Sequence, residues 1–308
     1  MGVQTKIAIY GDIAQACEDA AARAFGRISD LEAIMSDYRR DSELSRLCDD
    51  AGGPPKQVSL DLFRVLALSR QVSERTDGAF DITVGPLVAL WRSSRQSGKL
   101  PDAAALVLAR APVGWRNVRL EAGNRTVQLA MAGMRLDLGG IGKGYAAQAA
   151  VDQLRSEGFS NVLVSLAGDI VLGDPPPGQA AWRIEVSAGS GLAPAGTLLL
   201  SNAAVSTSGD AEQFIEIEGA RYSHIVDPRT GLGVAPHRAV TIVASRGELA
   251  DAIGKAACIW PRERVAELLR KFPATAAVVQ YKDGDAIRCE VHENATALVW
   301  DGAAPSAQ

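Results

Sequence analysis

Apolar positions recur along this chain in two rhythms, one helical and one of short strand-like runs, and together they predict a mixed α/β molecule. From Asp12 to Ser36 an alanine-rich stretch places Ala24, Ile28, Leu31 and Met35 on one helical face. A second amphipathic helix over Ser59–Thr76 carries Leu62, Val65, Leu66 and Val72, and Asp77-Gly78 closes it. Further helices are expected at Asp41–Leu47, Gly98–Ala111, Ala146–Glu157, Glu248–Trp260 and Val265–Lys271. Short apolar runs of strand length fall at Thr5–Tyr10, Asn161–Leu166, Trp182–Val186, Thr197–Leu200, Ala276–Tyr281 and Arg288–Trp300, and Trp115–Gly133 reads as paired strands around Gly123-Asn124. Ala51–Lys56 and the Pro-rich Asp174–Ala181 read as loops.

Composition narrows this picture. With 308 residues, 47% of them hydrophobic, the chain can bury a sizeable core as one large domain or two smaller ones. Its net charge of −4 comes from acids and bases interspersed along the chain, so nothing basic enough to track nucleic acid is present. Cys17, Cys48, Cys258 and Cys289 are scattered without a CxxC pair or a nearby histidine, which yields neither a zinc site nor a disulfide framework. No run reaches the ~18 apolar residues of a membrane helix, and Met1–Tyr10 lacks a signal-peptide apolar region. The chain as written therefore predicts a cytoplasmic protein, or a periplasmic or membrane-anchored one if an export segment has been removed.

The stretch richest in chemistry is MRLDLGGIGKGYAAQAA, Met134–Ala150, read as an apolar strand entering a glycine turn and an alanine-rich helix. Gly139, Gly140, Gly142 and Gly144 allow positive φ and close approach to a ligand, and the helix N-terminus offers unpaired N–H groups to an anion. Lys143 adds an ammonium inside the turn, so the stretch suits a phosphate. Asp137 beside it suits a ribose hydroxyl, an amide or a metal better than the phosphate. Neither a Walker A loop nor a dinucleotide fingerprint fits, and a tight strand-to-helix turn with a solvated lysine is the plain alternative. Polar density recurs in TSGD (Thr207–Asp210), read as a hydroxyl-rich turn, and in SHIVDPRTG, which gathers His224, Asp227, Arg229 and Thr230 around Pro228. Gly168-Asp169 suits a ligand-facing bend. The segment from Gly78 through Asp81 is either a loop shaped to admit a ligand or a helix-to-strand turn capped by Asp81. Tyr38 sits in a helix junction, where an aromatic is more often packing than ligand contact. Asp251 and Lys255 stand one helical turn apart, as a surface ion pair would.

Taken collinearly, MSDYRRDSELSRL, GAFDITVGPLV, LDLGGIGKGYA, LAGDI, TSGD, YSHIVDPRTG and ADAIGKA resemble the FAD:protein FMN transferase (ApbE) family over nearly the whole chain. LDLGGIGKGY and HIVDPRTG are the specific pieces. The resemblance implies an α/β fold of the α+β type, in two layers, with mixed sheets, covering helices and an active-site cleft between subdomains. It also implies one domain over residues 1–302, divisible into two subdomains, and a flexible tail at 303–308. The implied activity splits FAD at its pyrophosphate with Mg²⁺ and attaches FMN through a phosphoester to a threonine or serine of a target flavoprotein, releasing AMP. The implied FAD site comprises Met1, Tyr38, Ala79, Phe80, Asp81, Asp137, Lys143, Thr207, Ser208, Gly209 and Ile225. His224, Asp227 and Lys143 fall at the chemistry. Gly140 through its carbonyl and Asp251 through its carboxylate are the implied magnesium ligands, with Lys255 at a position where many members have a threonine. Alanine is common at the position of Gly142, and Cys48 stands where asparagine is frequent. A flavin-binding carrier without transfer, or an FAD pyrophosphatase giving FMN and AMP, would use the same site.

Overall fold

The structure is a computed structural model that describes residues 3–186, 195–209, 214–217, 219–234, 238–284, 286–302 and 304–305. Met1 and most of the tail expected at 303–308 lie outside the described residues. In chain order the elements begin β1 (Thr5–Ile9), α1 (Ala14–Met35), α2 (Glu43–Asp49), β2 (Lys56–Gln57), α3 (Leu60–Arg75), α4 (Gly85–Ser97) and α5 (Ala103–Arg110). They continue with β3 (Val118–Glu121), β4 (Thr126–Leu129), α6 (Gly142–Ser156), β5 (Val162–Leu166), β6 (Asp169–Leu172), β7 (Trp182–Val186) and β8 (Gly196–Leu200). The last are β9 (Ala204–Gly209), β10 (Phe214–Ile217), β11 (Ala220–Ser223), β12 (Arg238–Ala244), α7 (Gly247–Ile259), α8 (Val265–Arg270), β13 (Thr275–Asp283) and β14 (Ala286–Asn294).

The chain divides into two compact units. The first comprises Met1–Asp30, Ile141–Glu212 and His237–Gln308. Its seven-stranded sheet has the order β1-β5-β6-β9-β12-β13-β14, with antiparallel ladders throughout. The side-chain period of two divides its residues between two covers. On one face the β7–β8 hairpin lays Trp182, Ile184, Leu198 and Leu200 over Leu172, Val205, Val243 and Val278. On the other, α6 and α7 pack over the strands, and Asp169, Ser206 and Ser208 share the helix-facing side. Ala167 and Gly168 both take positive φ in the two-residue β5–β6 turn, which aims Asp169 into that layer.

The second unit comprises Leu31–Gly140 and Gln213–Pro236. It holds α2, α3, α4, α5, the β2-β4-β3 sheet and the β10–β11 hairpin. Ser59 caps α3 by accepting the Leu62 N–H, and Asp102 caps α5 through the N–H groups of Ala104 and Ala105. Leu87 and Trp91 of α4 pack with Val226, and the Trp91 indole donates to the Ser223 carbonyl at 3.0 Å.

Three expectations change, and one strand carries none. Met134–Leu138 is not a sheet strand: its buried side chains anchor an extended segment whose Leu136 N–H reaches the Cys48 sulfur and whose Asp137 N–H reaches the Ile82 carbonyl. A helix, not a strand, follows the Gly78–Val84 loop, because Pro86 starts it and Gly98 in the left-handed region stops it. Thr207, Ser208 and Gly209 lie on β9 rather than in a turn. The interior strand β12, RAVTIVA, is buried along its whole length and has no sequence-based expectation attached.

Candidate active site

Helix α6 begins at Gly142, so Lys143 and Gly144 stand in its first turn. No side chain of its own caps that end. Instead the Gly144 N–H donates at 3.3 Å to Asp251 Oδ2, a fully buried carboxylate from α7. Lys143 Nζ lies 2.8 Å from Asp169 Oδ2 and 3.6 Å from Asp251 Oδ2, and Lys255 Nζ lies 3.1 Å from Asp251 Oδ1. Lys255 also donates to Ser208 Oγ at 2.7 Å, while the Ser206 hydroxyl donates to Asp169. The result is a buried alternation of two carboxylates and two ammoniums at a helix N-terminus. Burial favours neutral forms here, yet the paired charges decide most of the outcome. Burial pushes Asp251 up, but Lys143 and Lys255 outweigh it and hold the carboxyl below its usual range. Burial and the neighbouring Asp251 drive Asp169 up, against the pull of both lysines. Lys143 is pushed down by burial and further up by Asp251 and Asp169, so it is held firmly as the ammonium.

Glycine serves this cluster by closeness, not by unusual backbone: Gly139 and Gly144 do not have positive φ. A Cβ on Gly144 would stand 2.1 Å from the Gly247 carbonyl, and one on Gly247 would stand 2.3 Å from the Gly144 carbonyl. That reciprocal contact lets α7 bring Asp251 up to α6. Gly254 does the same for Ser208, whose hydroxyl a Cβ there would meet at 2.7 Å.

In the second unit the residues expected at the site fall into three groups. Tyr38 is 76% exposed, and the Arg92 guanidinium lies 4.3 Å from its ring centre. Arg92 donates to Asp37 at 2.7 Å and approaches Asp137 at 3.5 Å, while Asp137 also receives the Gly139 N–H at 2.7 Å. Ala79, Phe80 and Asp81 form a buried loop in which Asp81 accepts the Thr83 N–H, the Thr83 hydroxyl and the Trp115 N–H. Asp81 is thereby spent on loop geometry; burial still pushes its carboxyl up despite those donors. In the third group Asp227 accepts the Arg229 N–H at 2.9 Å and pairs with its guanidinium at 2.7 Å, closing a turn that also carries His224 and the buried Ile225.

The ApbE family model matches residues 1–279. The chain belongs to the ApbE family. A Treponema pallidum protein named FAD:protein FMN transferase is 34% identical over 300 residues, covering 92% of this chain and 83% of that protein. A Klebsiella pneumoniae protein of the same name is 27% identical, covering 94% of this chain and 84% of its own length. Among solved structures, the flavin transferase ApbE from Vibrio cholerae superposes with a TM-score of 0.84 at 26% identity, covering 96% of this chain and 95% of that one. The ApbE protein of Thermotoga maritima gives 0.83 at 27% identity, with 93% of each chain covered.

Set against what ApbE resemblance implies, the first unit joins Lys143, Ser208, Asp251 and Lys255 in one cluster. It turns Thr207 away: the Thr207 hydroxyl meets that of Thr241 at 2.8 Å, one residue out of step with Ser206 and Ser208 on the pleat. Gly209 serves packing, since a Cβ there would stand 2.6 Å from the Arg238 carbonyl. Two residues have no site role assigned from sequence: Asp169 of the first unit reads only as part of a ligand-facing bend, and Arg92 of the second, inside an amphipathic helix, carries no motif signal at all. The Asp251–Lys255 pair forms as the spacing predicts but is buried rather than on the surface.

A divalent cation fits this cluster poorly. Both oxygens of Asp251 are already taken, Oδ1 by Lys255 and Oδ2 by the Gly144 N–H with Lys143 close by. Magnesium requires oxygen ligands around it and is repelled by ammonium groups. Among the described residues no group of three or more His, Cys, Asp and Glu could hold a metal. Within the cluster itself the two carboxylates are balanced by two lysines.

Proposed function

We propose that this protein is an FAD:protein FMN transferase. A hydroxyl oxygen of a threonine or serine on a target flavoprotein attacks the FMN phosphorus, the bond from that phosphorus to the bridging oxygen breaks, and AMP leaves with the oxygen. The hydroxyl proton passes to a base. Phosphoryl transfer asks little covalent chemistry of the protein and much charge neutralisation and positioning. The observation that carries the reading is Lys143, an ammonium fixed in the first turn of α6 by two buried carboxylates, where helix N–H groups and a cation meet as a diphosphate requires.

In this reading Lys143 and Ser208 bind the pyrophosphate region, and Tyr38, with Arg92 against its ring, offers an exposed aromatic face for stacking. Asp137, Ala79, Phe80 and Ile225 shape the nucleotide contacts, with Asp81 and Gly209 fixing the backbone around them. His224 is the base that takes the acceptor proton, and Asp227 holds its turn. Magnesium, which the resemblance implies, has no step here because the cluster does not fit it.

The test is to incubate the protein with FAD and an acceptor domain in magnesium buffer, then follow AMP and covalent flavin together. Transfer gives equal amounts of both, and removing the acceptor hydroxyl abolishes both. AMP with free FMN regardless of acceptor would make the protein a pyrophosphatase, and FAD recovered intact would make it a carrier.

A further inference from the structure

The pairing of Asp251 has a specific consequence for cation use. An exposed i, i+4 pair is easily displaced, but this carboxylate is fully buried and the Lys255 side chain is only 16% exposed. Lys255 is also built in rather than draped over the site. Ser208 on β9 accepts its second hydrogen bond, and Gly254, one residue earlier on α7, leaves the room that Ser208 occupies. For a divalent cation to reach Asp251 Oδ1, the ammonium must leave both partners and be rehoused, with Lys143 still 3.6 Å from the other oxygen.

We propose that Lys255 is the resident cation of the phosphate site, so that FAD binds and its pyrophosphate is neutralised without a divalent metal. This rests on FAD being the substrate. An ammonium has three donors; among the described residues Asp251 and Ser208 take two from Lys255, and a phosphate oxygen can accept the third. Lys143 approaches the same carboxylate from its other oxygen. The two negative charges of a pyrophosphate thus meet two lysines whose positions are set before binding, and a fixed point charge replaces an ion that would have to be recruited from solution.

The experiment is calorimetric titration of FAD into the parent protein, once with excess EDTA and once with millimolar magnesium, alongside titration of Mn²⁺ by water-proton relaxation with and without FAD. The parent is expected to bind FAD with dissociation constants that agree within about twofold in the two buffers. It is expected to bind no Mn²⁺ stoichiometrically. Lys255→Thr removes the ammonium and frees Asp251 Oδ1. Its FAD affinity in EDTA should fall by about tenfold or more, with recovery in magnesium and appearance of a Mn²⁺ site. Parent FAD binding that needs magnesium, or one Mn²⁺ bound per parent chain, overturns the proposal and leaves the transferase reading standing. A parent that binds no FAD in either buffer overturns the transferase reading, and the Mn²⁺ titration then judges Lys255 alone. If Lys255→Thr fails to fold, the two parent titrations still decide.

Discussion

Asp227 closes the turn that it shares with His224. The Asp227 carboxylate is nearly buried and accepts from the Arg229 backbone N–H and guanidinium, so its removal opens the turn as well as any chemistry. The sequence places both residues in one polar turn around Pro228, and the hydrogen bonds of Asp227 give it a part in holding that turn. Asp227→Ala should cost about 1–2 kcal/mol, the value of charge-assisted bonds discounted for the exposed arginine, and lower the melting temperature measurably. His224→Ala should bind FAD with the parent's affinity yet lose covalent flavin transfer. Melting of Asp227→Ala together with the parent would remove the positioning role of Asp227, and full transfer by His224→Ala would remove the base.

At the scale of elements, the contact of α6 with α7 determines whether Lys143 and Asp251 meet at all. Gly144→Ala places a Cβ against the Gly247 carbonyl, backbone against backbone, where no side chain can yield. It should destabilise by about 1–3 kcal/mol and weaken FAD binding through displacement of the cluster; a thermal melt and an FAD titration check both. An unchanged melt would show that the helices separate at no cost. The α6–α7 pair also marks the limit of sequence reading. Helical spacing revealed α1, α3 and α7 because an amphipathic face is a local signal, and Asp77-Gly78 marked the end of α3. The strand β12 escaped because both its faces are covered, which erases the alternation that identifies a strand. Met134–Leu138 looked like a strand because buried side chains on extended backbone leave the same pattern whether or not a sheet receives them. Lys143 was legible in its glycine-rich context. The role of the glycines was not, since close approach depends on a helix a hundred residues away. Spacing likewise gave the Asp251–Lys255 pair but not its burial, which is set by Ser208 and the sheet beneath.

At the scale of the whole molecule, global stability should carry the signature of the buried cluster on the alkaline side. Lys143 is pushed down by burial but raised overall by Asp251 and Asp169, so its folded value lies above the ordinary lysine range near ~10.4. A raised folded value means that the native state holds a proton which the unfolded chain releases first. The stabilisation is therefore complete below that ordinary value and is lost as pH rises through the folded one, at a limiting slope of about 1.4 kcal/mol per pH unit. Other groups act in the same window: burial raises Cys48, and burial with Glu290 pushes Cys289 up to about 11, so both thiols also make the native state less favoured as the unfolded chain ionises. Those terms are common to the parent and to Lys143→Met and cancel in their difference. Urea unfolding followed from pH 8 to 11.5, roughly the span between the ordinary thiol and arginine ranges, should show the parent losing stability more steeply than Lys143→Met above ~10.4. Below that pH the variant should be less stable by a constant amount, because Asp169 and Asp251 stay buried with one ammonium fewer. Parallel curves across the whole range would mean that Lys143 is solvated and unpaired, and the phosphate-binding cluster built on it would have to be abandoned.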